Sequence, residues 1–61
     1  DNTIDFTKSI ESIYDKIRML DSDDYPTAYL NVGDYKLEFS RAKFNGKEII
    51  SDVKILLNTS D

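Results

Sequence analysis

The chain has 61 residues, with eight Lys and Arg against twelve Asp and Glu and a net charge of -4, which bounds it to one small domain. It contains no Cys and no His, so disulfide frameworks, thiolate or imidazole metal sites and Ser-His-Asp catalysis are excluded. An apolar share of 39% with 11% aromatics is too high for a disordered chain, and no apolar run nears the roughly 18 residues a membrane helix needs.

The sequence starts at Asp1 without Met and shows no signal-peptide pattern, so it reads as an excised or trimmed domain. Residues 1–5 are mostly polar and are expected to fray. Apolar residues then fall at Phe6, Ile10, Ile13, Ile17 and Leu20, with Tyr14 widening the stripe. Steps of four and three predict an amphipathic helix. Thr7 is the expected N-cap, which places the helix at about 8–20. Two heptads are too few for a coiled coil.

Asp21-Ser22-Asp23-Asp24 should end the helix, because acids at a helix C-terminus oppose its dipole. The segment is a poor calcium loop. Tyr25 stands at a ligand position, and the Gly and closing Glu are missing. Pro26 opens the β region, where its missing N–H is tolerable.

Residues 27–32 alternate, with Ala28, Leu30 and Val32 on one face. Gly33-Asp34 signals a two-residue hairpin. Tyr35, Leu37 and Phe39 then repeat at period 2, and the short loop sets them opposite Val32, Leu30 and Ala28. A second strand over about 35–43 follows, and a third over about 48–57. Between them, a two-residue Asn45-Gly46 loop would mix core and solvent positions. A three-residue loop, Phe44-Asn45-Gly46, is therefore preferred, with Gly46 left-handed and a bulge. It sets Phe39 opposite Ser51, Leu37 opposite Val53 and Tyr35 opposite Ile55. It also sets Glu38 against Asp52 and Lys36 against Lys54, like charges that count against it.

The expected fold is α+β: one N-terminal amphipathic helix packed on a three-stranded antiparallel β-meander. Strands one and three would be edges. The third carries Ile50, Asp52, Lys54 and Leu56 on its outer face, which makes these four the candidate interface. Two glycines, both in hairpins, leave no phosphate-cradling loop. Carboxylates are plentiful, but so small a sheet has little room for a cleft that would tune a pair of them. Arg41, Lys43, Phe44 and Lys47 gather at the second hairpin as a weak nucleic-acid candidate. The acidic balance opposes it, since phosphate binding needs a basic stripe.

Three segments carry a family resemblance: Ile13-Tyr14-Asp15-Lys16-Ile17-Arg18-Met19-Leu20-Asp21, then Tyr25-Pro26-Thr27-Ala28-Tyr29-Leu30, then Gly33-Asp34-Tyr35-Lys36-Leu37-Glu38-Phe39-Ser40-Arg41-Ala42. They resemble the small C-terminal domain of the methionyl-tRNA formyltransferase superfamily, with its I-x-x-x-I-R-x-L helix, Y-P-x-A corner and G-x-K-L turn. The resemblance implies a shortened version of an OB-like domain appended to a larger, cytoplasmic enzyme. It also implies a preceding catalytic domain that binds 10-formyltetrahydrofolate and holds an Asn, a His and an Asp. This chain has no His, so no catalytic residue, cofactor or metal is expected within it.

In tRNA formyltransferases the domain is longer and helps bind tRNA. This one is shorter and acidic, which resembles formyltransferases acting on amino-sugar nucleotides. Arg18 is the one polar residue of the motif set aside as a candidate contact outside the domain; it could equally pair with Asp15. Three readings stay open: an accessory domain docked on the catalytic domain of its parent chain, a stand-alone protein-interaction module, and a nucleic-acid module. A homodimer through strand 48–57 is compatible with the first two.

Overall fold

The computed structural model describes residues 1–24 and 26–58. Tyr25, assigned above to the acidic loop and to the Y-P corner, lies outside the described residues, as do 59–61. The elements run α1 (Ile10–Met19), β1 (Ala28–Val32), β2 (Tyr35–Phe44) and β3 (Ile49–Leu57). The strands form one antiparallel sheet in the order β1-β2-β3. The helix packs across β2.

The helix starts at Ile10, later than the expected residue 8, and its N-cap is Ser9 rather than Thr7. Ser9 has extended backbone (ψ 158) and its Oγ accepts the Ser12 N–H at 3.2 Å, which satisfies one free donor of the first turn. Thr7 is committed elsewhere. Its N–H and O–H both donate to Asp5 Oδ1, at 2.9 and 2.6 Å. Phe6 therefore precedes the helix, half exposed, with its ring tilted against Phe39 at 6.1 Å.

The N-terminal segment does not fray as expected. Thr3 forms a parallel bridge to Tyr29. The Ile4 N–H donates to the Tyr29 carbonyl at 2.8 Å, and the Tyr29 N–H donates to the Asn2 carbonyl at 3.0 Å. Ile4 is 2% exposed and forms the core with Ile17 and Ala28. Ile13, Leu20, Phe39, Ala42 and Ile49 pack around them. One apolar residue among polar neighbours has no periodicity to reveal it; Ile4 is placed by a long-range contact. The outer edge of β1 is thus partly covered, and β3 is the open edge among the described residues.

The first hairpin pairs Val32 with Tyr35, Leu30 with Leu37 and Ala28 with Phe39, with Gly33 at φ 59. The second hairpin departs from expectation. Its loop has four residues, because Phe44 pairs with Ile49. Asn45 Oδ1 accepts the N–H groups of both Lys47 and Glu48 at 2.9 Å, and Gly46 turns the chain at φ 95. The bulge lies in β2, where Arg41 and Ala42 stand between the pairs Ser40–Asp52 and Lys43–Ile50. Below it Phe39 faces Val53, Leu37 faces Ile55 and Tyr35 faces Leu57. The slip from the expected register is two residues. An even slip keeps every side chain on its face. It also removes the like-charge conflict, since Glu38 now faces Lys54 and Lys36 faces Leu56.

Replacing Ser9 with Ala should cost about 1 kcal/mol of stability in urea unfolding. Thr7→Ala should cost clearly less. The reverse order would return the cap to Thr7.

Candidate interaction surface

Alternation along β3 puts Ile50, Asp52, Lys54 and Leu56 on the sheet face opposite the helix. Ile50 is 65% exposed and Leu56 37%. Asp52 is held by Arg41, whose Nε donates to its Oδ2 and whose guanidinium pairs with it. The Arg41 N–H donates to Asp21 Oδ2 at 2.8 Å. Asp21 follows the helix, so these contacts tie the helix end to the bulge and the bulge to β3. In the sequence Asp21 reads as a helix stop and as part of a poor calcium loop, not as a partner of the bulge. One signal was present: apolar residues at 35, 37 and 39 resume at 42 and 44, a slip of phase that marks an inserted residue.

The helix-facing side of the sheet is only partly covered. Val32, Tyr35, Val53, Ile55 and Leu57 lie on it, and each is 44% exposed or more. Together with Ile50 and Leu56, they give β3 exposed apolar side chains on both faces.

The other candidates fall apart in space. Arg18 is paired with Asp15 at 3.3 Å on the helix. Phe44 packs against Tyr14 at 5.1 Å, so its ring is already occupied. Arg41 is engaged by Asp52. Lys43 and Lys47 are exposed, but Lys43 and Phe44 point to opposite faces. No basic stacking platform is assembled by these four.

A shallow groove of about 270 Å³ lies between the N-terminal segment and the helix, lined in part by Thr3, Asp5, Lys8, Ser12 and Lys16. Its one carboxylate is Asp5, which the Thr7 hydroxyl and amide hold below the usual aspartate range, so it stays charged near neutral pH. Among the described residues, no group of three or more acids is placed to hold a metal. No helix among them is long and apolar enough to cross a membrane.

The family model for the C-terminal domain of methionyl-tRNA formyltransferase matches residues 1–56. The chain belongs to this family. This formyltransferase C-terminal domain is also similar to a solved structure, a methionyl-tRNA formyltransferase from Clostridium thermocellum, at 46% identity and a TM-score of 0.86. The match covers 92% of this chain and 25% of that one; the domain spans about a quarter of the relative's length. No curated protein matches it.

Arg41 sits at φ 50, a left-handed conformation that costs a side-chain-bearing residue about 1–2 kcal/mol. Arg41→Gly relieves that strain and loses an exposed ion pair worth about 0–1 kcal/mol. Its stability should match the parent or exceed it by up to about 2 kcal/mol. Arg41→Val, β-branched at positive φ, should lose about 1–3 kcal/mol. Equal urea midpoints for the two variants would count against the bulge.

Proposed function

We propose that the chain is the non-catalytic C-terminal accessory domain of a cytoplasmic, 10-formyltetrahydrofolate-dependent formyltransferase, serving docking and oligomerisation. The supporting observation is coverage: nearly the whole chain aligns with one quarter of a methionyl-tRNA formyltransferase. The chemistry agrees with it. Formyl transfer to an amine needs a base to take the amine proton and a cleft to hold cofactor and acceptor. The chain has no His, and its groove is shallow with one strongly ionised carboxylate. The folate site and the catalytic Asn, His and Asp belong to the preceding domain, on which this one docks.

The acceptor of the parent enzyme is either methionyl-tRNA, named in the relative's description, or an amino-sugar nucleotide. The charge pattern favours the second. The domain carries -4 overall, and Arg18, Lys36 and Arg41 are each paired with an acid. The other five Lys and Arg are outnumbered by the acids, and a net negative domain repels a phosphate backbone.

The chain alone, incubated with 10-formyltetrahydrofolate and candidate amines, should give no formylated product. Turnover above background would contradict the accessory reading. Any tRNA binding should be weak and vanish at physiological salt. A sub-micromolar, salt-resistant tRNA complex would instead make tRNA recognition the domain's role.

A further inference from the structure

Among the described residues, β3 pairs with β2 on one side and leaves its other edge open. Its free backbone groups can be assigned from the hairpin's two ends. The Asn45 N–H donates to the Glu48 carbonyl at 3.3 Å, and the Asn58 N–H donates to the Asp34 carbonyl at 2.8 Å. In an antiparallel ladder, bonded pairs recur every second residue. The even-numbered residues of β3 therefore bond to β2, and the N–H and C=O groups of 49, 51, 53, 55 and 57 point outward, unpaired among the described residues.

We propose that the partner of this edge is a second copy of the chain, joined antiparallel about a two-fold axis through Val53, so that two three-stranded sheets form one of six strands. β3 runs from Ile49 to Leu57, so Val53 is its midpoint and this register overlaps the whole strand. Val53 has outward backbone groups, as a bonded pair at the axis requires. The register sets Asp52 of each copy directly opposite Lys54 of the other, twice. It sets Ile50 opposite Leu56 on the same face. Sliding by two residues either way keeps the backbone bonds possible but puts Asp52 opposite Asp52, or Lys54 opposite Lys54, at the axis. Like charges directly opposite are destabilising, so the side chains select one register from those the backbone allows.

The other face gains as well. Both helices end on the same side of the joined sheet. Ile55 comes beside Ser51 of the second copy and Leu57 beside its Ile49. Ser51 and Ile49 border a groove with Phe6 and Ile13, so Ile55 and Leu57, 67% and 62% exposed in one copy, approach apolar cover. Across the outer face the row Glu38, Lys54, then Asp52 and Arg41 of the second copy alternates in sign. The pairing rests on strand geometry and holds whatever reaction the parent enzyme performs, so its test and the activity assay fail independently.

The test uses D52K and K54D, each measured alone and mixed one to one, by sedimentation velocity with far-UV circular dichroism as the fold check. The unmodified chain should dimerise. Each single variant meets like charge on both rows and should dimerise at least about tenfold more weakly. The mixture restores opposite charges on both rows and should recover the dimer, which a general loss of stability could not produce. An unmodified chain that stays monomeric at about 1 mM, or a mixture no better than its components, overturns the proposal. Should either variant fail to fold, amide exchange on the unmodified chain decides. The amides of Ser51, Val53 and Ile55 should slow as concentration rises, while those of Asp52 and Lys54 are protected throughout. Concentration-independent exchange at the three odd positions overturns the pairing.

Discussion

A ten-residue helix is about 15 Å long, and a ten-residue strand is about 33 Å long. Here α1 and β2 each have ten residues, and the helix is the one covering element laid on the sheet among the described residues. It can shelter about half of the face it lies on. That half holds Ile4, Ile17 and Ala28 with their neighbours. The other half leaves Val32, Tyr35, Val53, Ile55 and Leu57 in contact with water. A small domain without disulfide or metal buries too little to stabilise itself generously, and apolar area left over on this scale marks a surface meant to be covered.

The bulge in β2 reconciles this short helix with a long strand. Without an inserted residue, Phe39 and Ala42 would point to opposite faces, as would Phe39 and Phe44. With Arg41 taking the extra position, Phe39, Ala42 and Phe44 all reach the helix side. A left-handed residue is costly, and three contacts hold it: the Asp21 carboxylate on its N–H, Asp52 on its guanidinium, and the flanking ladder. Asp21 thereby couples the helix end to the strand that carries the interface. The same bulge sets the register in which Glu38 meets Lys54, leaving Asp52 and Lys54 alternating along the open edge.

Much of this fold was legible in short-range pattern. The steps of four and three gave the helix. The period-2 runs around Gly33-Asp34 gave the first hairpin with its register, because a two-residue loop leaves no freedom. The second hairpin was less legible, since its loop length is set by Asn45 bonding two amides and its bulge by a phase slip four residues away. Ile4 and the Ser9 cap were misread because competing hydrogen bonds decide them: Tyr29 recruits the N-terminal segment, and Asp5 takes Thr7. The outer-face residues Ile50, Asp52, Lys54 and Leu56 were legible as candidates from alternation alone. Their mutual complementarity needed the backbone bonding pattern, which tells odd residues from even.

The domain is thus a formyltransferase C-terminal unit in which Asp5, Arg18, Asp21 and Arg41 are engaged by its own groups, while five of the nine exposed large apolar side chains among the described residues lie on β3. The most direct measurement of that account is an isotope-filtered NOE experiment on a one-to-one mixture of labelled and unlabelled chain at about 1 mM. In the pairing described, Asp52 and Lys54 of different copies form a non-hydrogen-bonded pair with Cα atoms about 4.5 Å apart. An intermolecular cross-peak between their Hα protons is the predicted result. A spectrum with no intermolecular peaks from β3 would contradict it.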